Sequence, residues 1–252
     1  PQEGWLLLLR ACHHELKDYQ GMLGVVRELV AAYPKDDYLL ALAALYSELG
    51  DTRKQLALTE TLFDRGYLKT PADAENLVNL FLLHEQPLKA ARLLEAQLGA
   101  GSLPADERHL TLLSQAWYQA REDKRAIPPL EKAAALAATG ELYTRLAQSH
   151  LNLSAWPAAA EAARKAIAKG GLTRPDTAQV MLGMALFNEN QLTAARSAFE
   201  EASRDRRSAK LASQWLGFIN AELARQETMQ QVLPDAAPIK QDKILEAMDA
   251  PG

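Results

Sequence analysis

Residues 175–203 read PDTAQVMLGMALFNENQLTAARSAFEEAS. Leu182 and Leu186 form an apolar stripe at helical spacing, the Asn188-Glu189-Asn190 turn follows, and Phe199 carries the stripe onto a second helix. Gly183, Ala195 and Ala202 stand where the two helices would cross, because only a small residue lets the backbones approach closely. The spacing from Gly183 to Ala195, Phe199 and Ala202 is 12, 4 and 3 residues. This stretch is a helix-turn-helix.

The same 12-4-3 spacing recurs upstream as Ala147, Ala159, Ala163, Ala166, as Ser114, Ala126, Leu130, Ala133, and as Val78, Ala90, Leu94, Gln97. Two earlier units, Ala43, Gln55, Thr59, Leu62 and Arg10, Met22, Val26, Leu29, keep the spacing while losing the small residues. The anchors at 10, 43, 78, 114, 147 and 183 are 33 to 36 residues apart, the period of a two-helix repeat. Pro34, Pro71, Pro104 and Pro175 fall between units, where a helix must start or stop. Gly50-Asp51 and Asn152-Leu153-Ser154 mark turns within units. The expected architecture is an all-α, right-handed α-solenoid of about six helix pairs plus a C-terminal closing helix that runs to about Gln230. Residues 1–230 form the array. Residues 231–252 read as a flexible tail with a short amphipathic stretch carrying Ile239, Lys240, Lys243, Ile244, Leu245 and Met248.

Composition agrees. The 252 residues hold 45 Ala and 43 Leu against 6 Val and 5 Ile, so strand formers are nearly absent and neither a doubly wound nucleotide fold nor a barrel enzyme is expected. A net charge of −4 gives no general attraction to phosphate, and nucleic acid is not an expected partner. The one basic cluster, Arg204, Arg206, Arg207 and Lys210, reads as a helix end and loop. Apolar runs of five or six residues are too short to enter a bilayer as a span. A start at Pro1 rather than Met suggests a processed or excised chain whose targeting segment has been removed.

Leu182, Gly183, Leu186, Ala195, Phe199 and Ala202 match the tetratricopeptide repeat pattern, and Tyr33-Pro34 matches the proline that closes such a unit. The chain thus resembles the tetratricopeptide repeat family over roughly Glu3 to Asn220. A narrower resemblance rests on Gly66-Tyr67-Leu68, Gln115-Ala116-Trp117, Pro128-Pro129-Leu130-Glu131-Lys132-Ala133, Gly140-Glu141-Leu142-Tyr143, Lys169-Gly170-Gly171-Leu172 and Gln214-Trp215-Leu216. These runs look like the tetratricopeptide proteins associated with TonB energy-transduction systems. That likeness implies a periplasmic accessory of a TonB-ExbB-ExbD uptake system, with TonB, ExbB or ExbD components as partners. The alternatives are a recruiting domain of a larger enzyme and a cytoplasmic assembly factor.

No catalytic chemistry emerges. His13, His14, His84, His109 and His150 show no metal-ligand spacing, Gly99-Ala100-Gly101 lacks the third Gly of a dinucleotide fingerprint, and no nucleophile elbow occurs. No enzyme activity, cofactor or metal is expected. Cys12 reads as a buried or half-buried thiol. Trp117 and Trp215 read as core, while Trp5 and Trp156 are candidate exposed contacts.

In tetratricopeptide arrays the first helices line a groove. At its expected register an amide-rich track appears: Asn79, Gln115, Gln119, Gln148, Asn152 and Asn188, with Tyr118, Met184 and Phe187 beside them. Amides both donate and accept, so such a row can satisfy the backbone of an extended peptide. These nine residues are the candidate binding site. Glu75 and Glu141 occupy places where a clamp for acidic C-termini needs Lys, which argues against that use.

Overall fold

The structure is a computed structural model describing residues 2–232, with side chains up to Met229. The amphipathic stretch 239–248 and the rest of the expected tail from 233 on lie outside the described residues. Among the described residues there are thirteen α-helices and no strand. They pair as α1 (Glu3–Glu15) with α2 (Tyr19–Ala32), α3 (Asp36–Glu48) with α4 (Thr52–Asp64), α5 (Pro71–Leu83) with α6 (Pro87–Gly99), and α7 (Glu107–Gln119) with α8 (Asp123–Leu136). Two further pairs are α9 (Glu141–Asn152) with α10 (Trp156–Lys169) and α11 (Pro175–Asn188) with α12 (Leu192–Ser203), and α13 (Ala209–Val232) closes the series. The expected six pairs and closing helix are therefore present. The chain divides into two compact units, Pro1–Leu136 with four pairs and Ala137–Gly252 with two pairs and α13.

Every pair turns in the same way. The second residue after each first helix has positive φ: Lys17, Gly50, Glu85, Arg121, Ser154 and Asn190. The next N–H then donates back five residues at 2.8–2.9 Å, as in Asp51 to Tyr46 and Gln191 to Leu186. This closes the helix by satisfying carbonyls that its last turn leaves free. Helix starts are equally local. Pro71 and Pro175 each open a helix, where the missing N–H costs nothing, and Thr70 and Asp73 cap α5 reciprocally.

The repeat positions are the core positions. The residue 16 places after each anchor is buried in all six pairs: Val26, Thr59, Leu94, Leu130, Ala163 and Phe199. In the second unit, a Cβ on Gly183 would lie 2.7 Å from the Phe199 ring, so α11 and α12 cross where no side chain fits. The Phe199 ring stacks on Trp215 of α13 at 5.3 Å, and Phe187 meets Trp215 edge-on at 5.1 Å. In the first unit Trp117 is fully buried in a cluster with Leu77, Val78, Phe81 and Leu94. The Arg125 guanidinium lies 3.5 Å from the centre of its ring and pairs with Glu95. Burying a side chain of this size stabilises by roughly 1.5–3 kcal/mol.

Three expectations are refined. Cys12 is exposed, not buried or half-buried, because α1 has no helix covering that face among the described residues. Trp5 is exposed and Trp156 half-buried, while Trp215 is half-buried between the phenylalanines. The basic cluster is the loop 204–208 and the start of α13, with Arg204 paired to Glu201 and Arg207 to Asp205.

Candidate functional site

Carboxylates at the start of the first helices align those helices. In the first unit, Glu3 at the head of α1 accepts hydrogen bonds from Lys35 and Tyr38, at the entrance to α3. Asp37 accepts from Tyr67, just before α5. Glu75 of α5 bonds the His109 ring at 2.8 Å and Arg108 at 2.7 Å, both in the first turn of α7. His109 is buried, and Asp106 holds its other ring nitrogen at 2.8 Å. Arg108 above all, and then His109, hold the Glu75 carboxyl below the usual carboxylate range. In the second unit Glu141 accepts the Thr173 N–H at 2.6 Å, and Asp176 accepts from Ser208. Within each unit these bonds tie together the starts of successive first helices. Glu75 and Glu141, at the places where a clamp for acidic C-termini needs Lys, are two of these structural ties.

Helical period then sets which residues share the exposed rows. In the first unit the rows are Leu40, Ala44, Glu48 on α3, then Asn79 and Leu83 on α5, then Gln115 and Gln119 on α7, each residue four from the next and all exposed. Tyr118 adds a half-exposed ring next to Gln119. Among the described residues the amides of Asn79, Gln115 and Gln119 bond no other protein group. Seven neutral side chains, Tyr118 included, face solvent here against one free charge, Glu48. Leu40 is the residue that pattern reading passed over, and Leu83 stands at the expected groove register outside the amide track. Their signal was present, since a leucine in an exposed register has no packing reason to be there.

The second unit is different. Gln148 and Asn152 are exposed on α9, but Gln148 Nε2 donates to Asn152 Oδ1 at 2.8 Å. Asn188 is exposed on α11, and its amide donates to the Met184 carbonyl at 2.8 Å, capping its own helix end. Met184 is half-buried, and Phe187 is half-buried against Trp215. The amides here already spend part of their hydrogen-bonding capacity locally. Among the described residues no helix is long and apolar enough to cross a membrane.

No family model and no curated protein matches the sequence. Solved structures do match. The crystal structure of YrrB, a TPR protein with an unusual peptide-binding site, is similar at 15% identity and a TM-score of 0.52, over 75% of this chain and 96% of that one. MamA of AMB-1 is similar at 18% identity and a TM-score of 0.52, over 67% of this chain and 90% of that one. The shared feature is the fold: this chain has the all-α tetratricopeptide architecture.

Proposed function

We propose that the chain is a non-enzymatic scaffold that holds an extended protein segment on the exposed rows of its first unit. The observation that carries this reading is the set of unengaged amides on Asn79, Gln115 and Gln119, beside exposed Leu83 and Tyr118. An extended segment offers a backbone N–H and C=O at each residue, which amides satisfy in either sense, and alternate side chains that leucine and tyrosine can cover. The near absence of free charge on these rows favours a neutral or apolar segment over an acidic tail. YrrB, which shares the fold, carries a peptide-binding site of its own. The row of Gln148, Asn152, Met184, Phe187 and Asn188 in the second unit is the lesser surface, since its amides are partly satisfied.

The finer reading is a periplasmic accessory of a TonB-ExbB-ExbD uptake system. Its support is the set of short runs from Gly66-Tyr67-Leu68 to Gln214-Trp215-Leu216. The test is calorimetric titration of the whole chain with the purified periplasmic segments of TonB and ExbD. Binding by either is expected, weakened at least about tenfold when Gln115 and Gln119 are both changed to Glu, because two carboxylates cannot donate to a peptide carbonyl. Melting should stay near the parent, since both residues are exposed. Absence of binding overturns the TonB reading. Binding that ignores the double change overturns the site.

A further inference from the structure

Helix α13 keeps the register of a first helix. Its covered positions, Ser208, Ala212, Trp215, Leu216 and Ile219, are spaced 4, 3, 1 and 3 residues apart, as are His109, Leu113, Ala116, Trp117 and Ala120 of α7 and its C-cap. Ser208 also bonds Asp176 of α11, as His109 bonds Glu75 of α5. In this register Gln214 and Phe218 stand where α7 carries Gln115 and Gln119. The same two rows are exposed on α3 and α5, which have a helix pair on either side, so the exposure belongs to the face itself.

In the second unit the rows therefore run Gln148, Met184, Gln214 and Asn152, Asn188, Phe218. Trp215 joins α13 to α11 by meeting Phe187 edge-on at 5.1 Å, and Phe218 meets the same Trp215 at 6.5 Å. Phe218 is 68% exposed and Leu211, two turns before it, 44%. An exposed ring backed by two further rings is a rigid anchor for an apolar side chain. The charge on this face has one sign. Arg145 on α9 and Lys210 on α13 are exposed and make no ion pair among the described residues, and the rows carry no carboxylate. Glu141 and Asp176, at the heads of α9 and α11, are engaged by the Thr173 N–H and by Ser208 and Arg174. Lys210 stands about 12 Å along α13 from Phe218, so a cation and an aromatic anchor face the same occupant. We propose that the second unit, with α13 serving as its third first helix, docks an extended segment whose large apolar side chain rests on Phe218 and whose flanking acidic residues meet Lys210 and Arg145. The surface lies wholly within the second unit, and its residues are none of those that carry the first-unit reading.

The probe is a blocked heptapeptide with a central phenylalanine between aspartates, titrated calorimetrically into the whole chain. It should bind at least about tenfold more tightly than the same peptide with lysines in place of the aspartates. Phe218→Ser should weaken it at least about tenfold, and Lys210→Glu should reduce its advantage over the lysine peptide. Far-UV circular dichroism should stay that of the parent in both, because the two side chains are exposed. Gln115→Glu with Gln119→Glu should leave this binding unchanged, which separates the second-unit surface from the first-unit site. Equal binding of the two peptides, binding of neither at millimolar concentration, or binding that ignores both Phe218→Ser and Lys210→Glu overturns the proposal, as does binding lost with the first-unit double change. Self-association in sedimentation velocity that Phe218→Ser abolishes would assign the surface to a second copy. An affinity raised by Ile244→Asp with Leu245→Asp would assign it to the chain's own C-terminal stretch. Either result overturns the external segment.

Discussion

Ser208 Oγ donates a 2.6 Å hydrogen bond to Asp176 Oδ2, joining the first turn of α11 to the residue before α13, 32 positions on. Arg174 grips the same carboxylate through two nitrogens at 2.6 and 2.9 Å, and Arg207 approaches to 3.6 Å. The Asp176 side chain is 2% exposed, so its charge is tolerable only with these partners. It thereby fixes α13 to the helix pair whose Phe199 stacks on Trp215.

Acid should loosen this joint. Arg174 first, and then Ser208, hold the Asp176 carboxyl well below the ordinary carboxylate range. A group whose folded pKa is depressed contributes stability that is present above its unfolded pKa, about 3.9, and lost as pH falls through the folded value. The second unit should thus lose stability steadily below about pH 4. Asp176→Asn should cost about 1–3 kcal/mol at pH 7, toward the lower end because both arginines reach solvent, and should flatten the acid dependence. Urea unfolding at pH 7 and pH 3 checks both. A parent whose stability is equal at the two pH values would refute the assignment.

The crossing at Gly183 should tolerate no added carbon. A Cβ there would sit 2.7–2.8 Å from three ring atoms of Phe199, and that ring is held in a stack with Trp215. Gly183→Ala should therefore cost about 1–3 kcal/mol through overpacking, despite the better helix propensity of alanine. Gly217, on α13, has nothing within 4 Å of its added Cβ. Gly217→Ala should be neutral or stabilise by up to about 1 kcal/mol. Opposite signs for the two changes in urea midpoint are the expected result.

Gly183 and the alanines at 147, 159, 163, 166, 195 and 202 were legible because close helix crossings restrict residue type at a fixed interval, leaving a pattern in sequence. The ties between first helices recur almost as regularly, at 32 to 35 residues for Glu3–Tyr38, Glu75–His109, Glu141–Thr173 and Asp176–Ser208. They stayed hidden because the donors differ: a phenol, an imidazole, a backbone N–H and a hydroxyl serve one purpose. Geometry selects the position there, and chemistry leaves the residue free. The site divides similarly. Exposure of Asn79, Gln115 and Gln119 follows from helical period, whereas the bond from Gln148 to Asn152 and that from Asn188 to the Met184 carbonyl depend on rotamers that spacing does not set. The weak repeat around Arg10 belongs to α1, whose Trp5, Leu8 and Leu9 are exposed among the described residues.

The six equivalent turns carry their own internal control. Each needs one residue at φ between 55° and 76°, yet only Gly50 is a glycine; Lys17, Glu85, Arg121, Ser154 and Asn190 hold the strained conformation with a side chain. For an L-residue that conformation costs roughly 1–2 kcal/mol, except that Asn bears it more easily. Glycine escapes the clash but loses about 0.5–1 kcal/mol in chain entropy. Glu85 and Arg121 are exposed, and their side chains bond nothing among the described residues, so their replacement removes strain and little else. Glu85→Gly and Arg121→Gly should each stabilise the first unit by about 0.5–1 kcal/mol. Asn190→Gly should gain less, because its side chain already tolerates the turn. Gly50→Ala should lose about 1 kcal/mol, since nothing lies within 4 Å of its added Cβ and the backbone alone resists it. Urea midpoints for the four variants should rank Glu85→Gly and Arg121→Gly above Asn190→Gly, with Gly50→Ala below the parent. A gain on Gly50→Ala would show that the turn relaxes out of the left-handed region, and the common geometry of the six pairs would then fail at its first test.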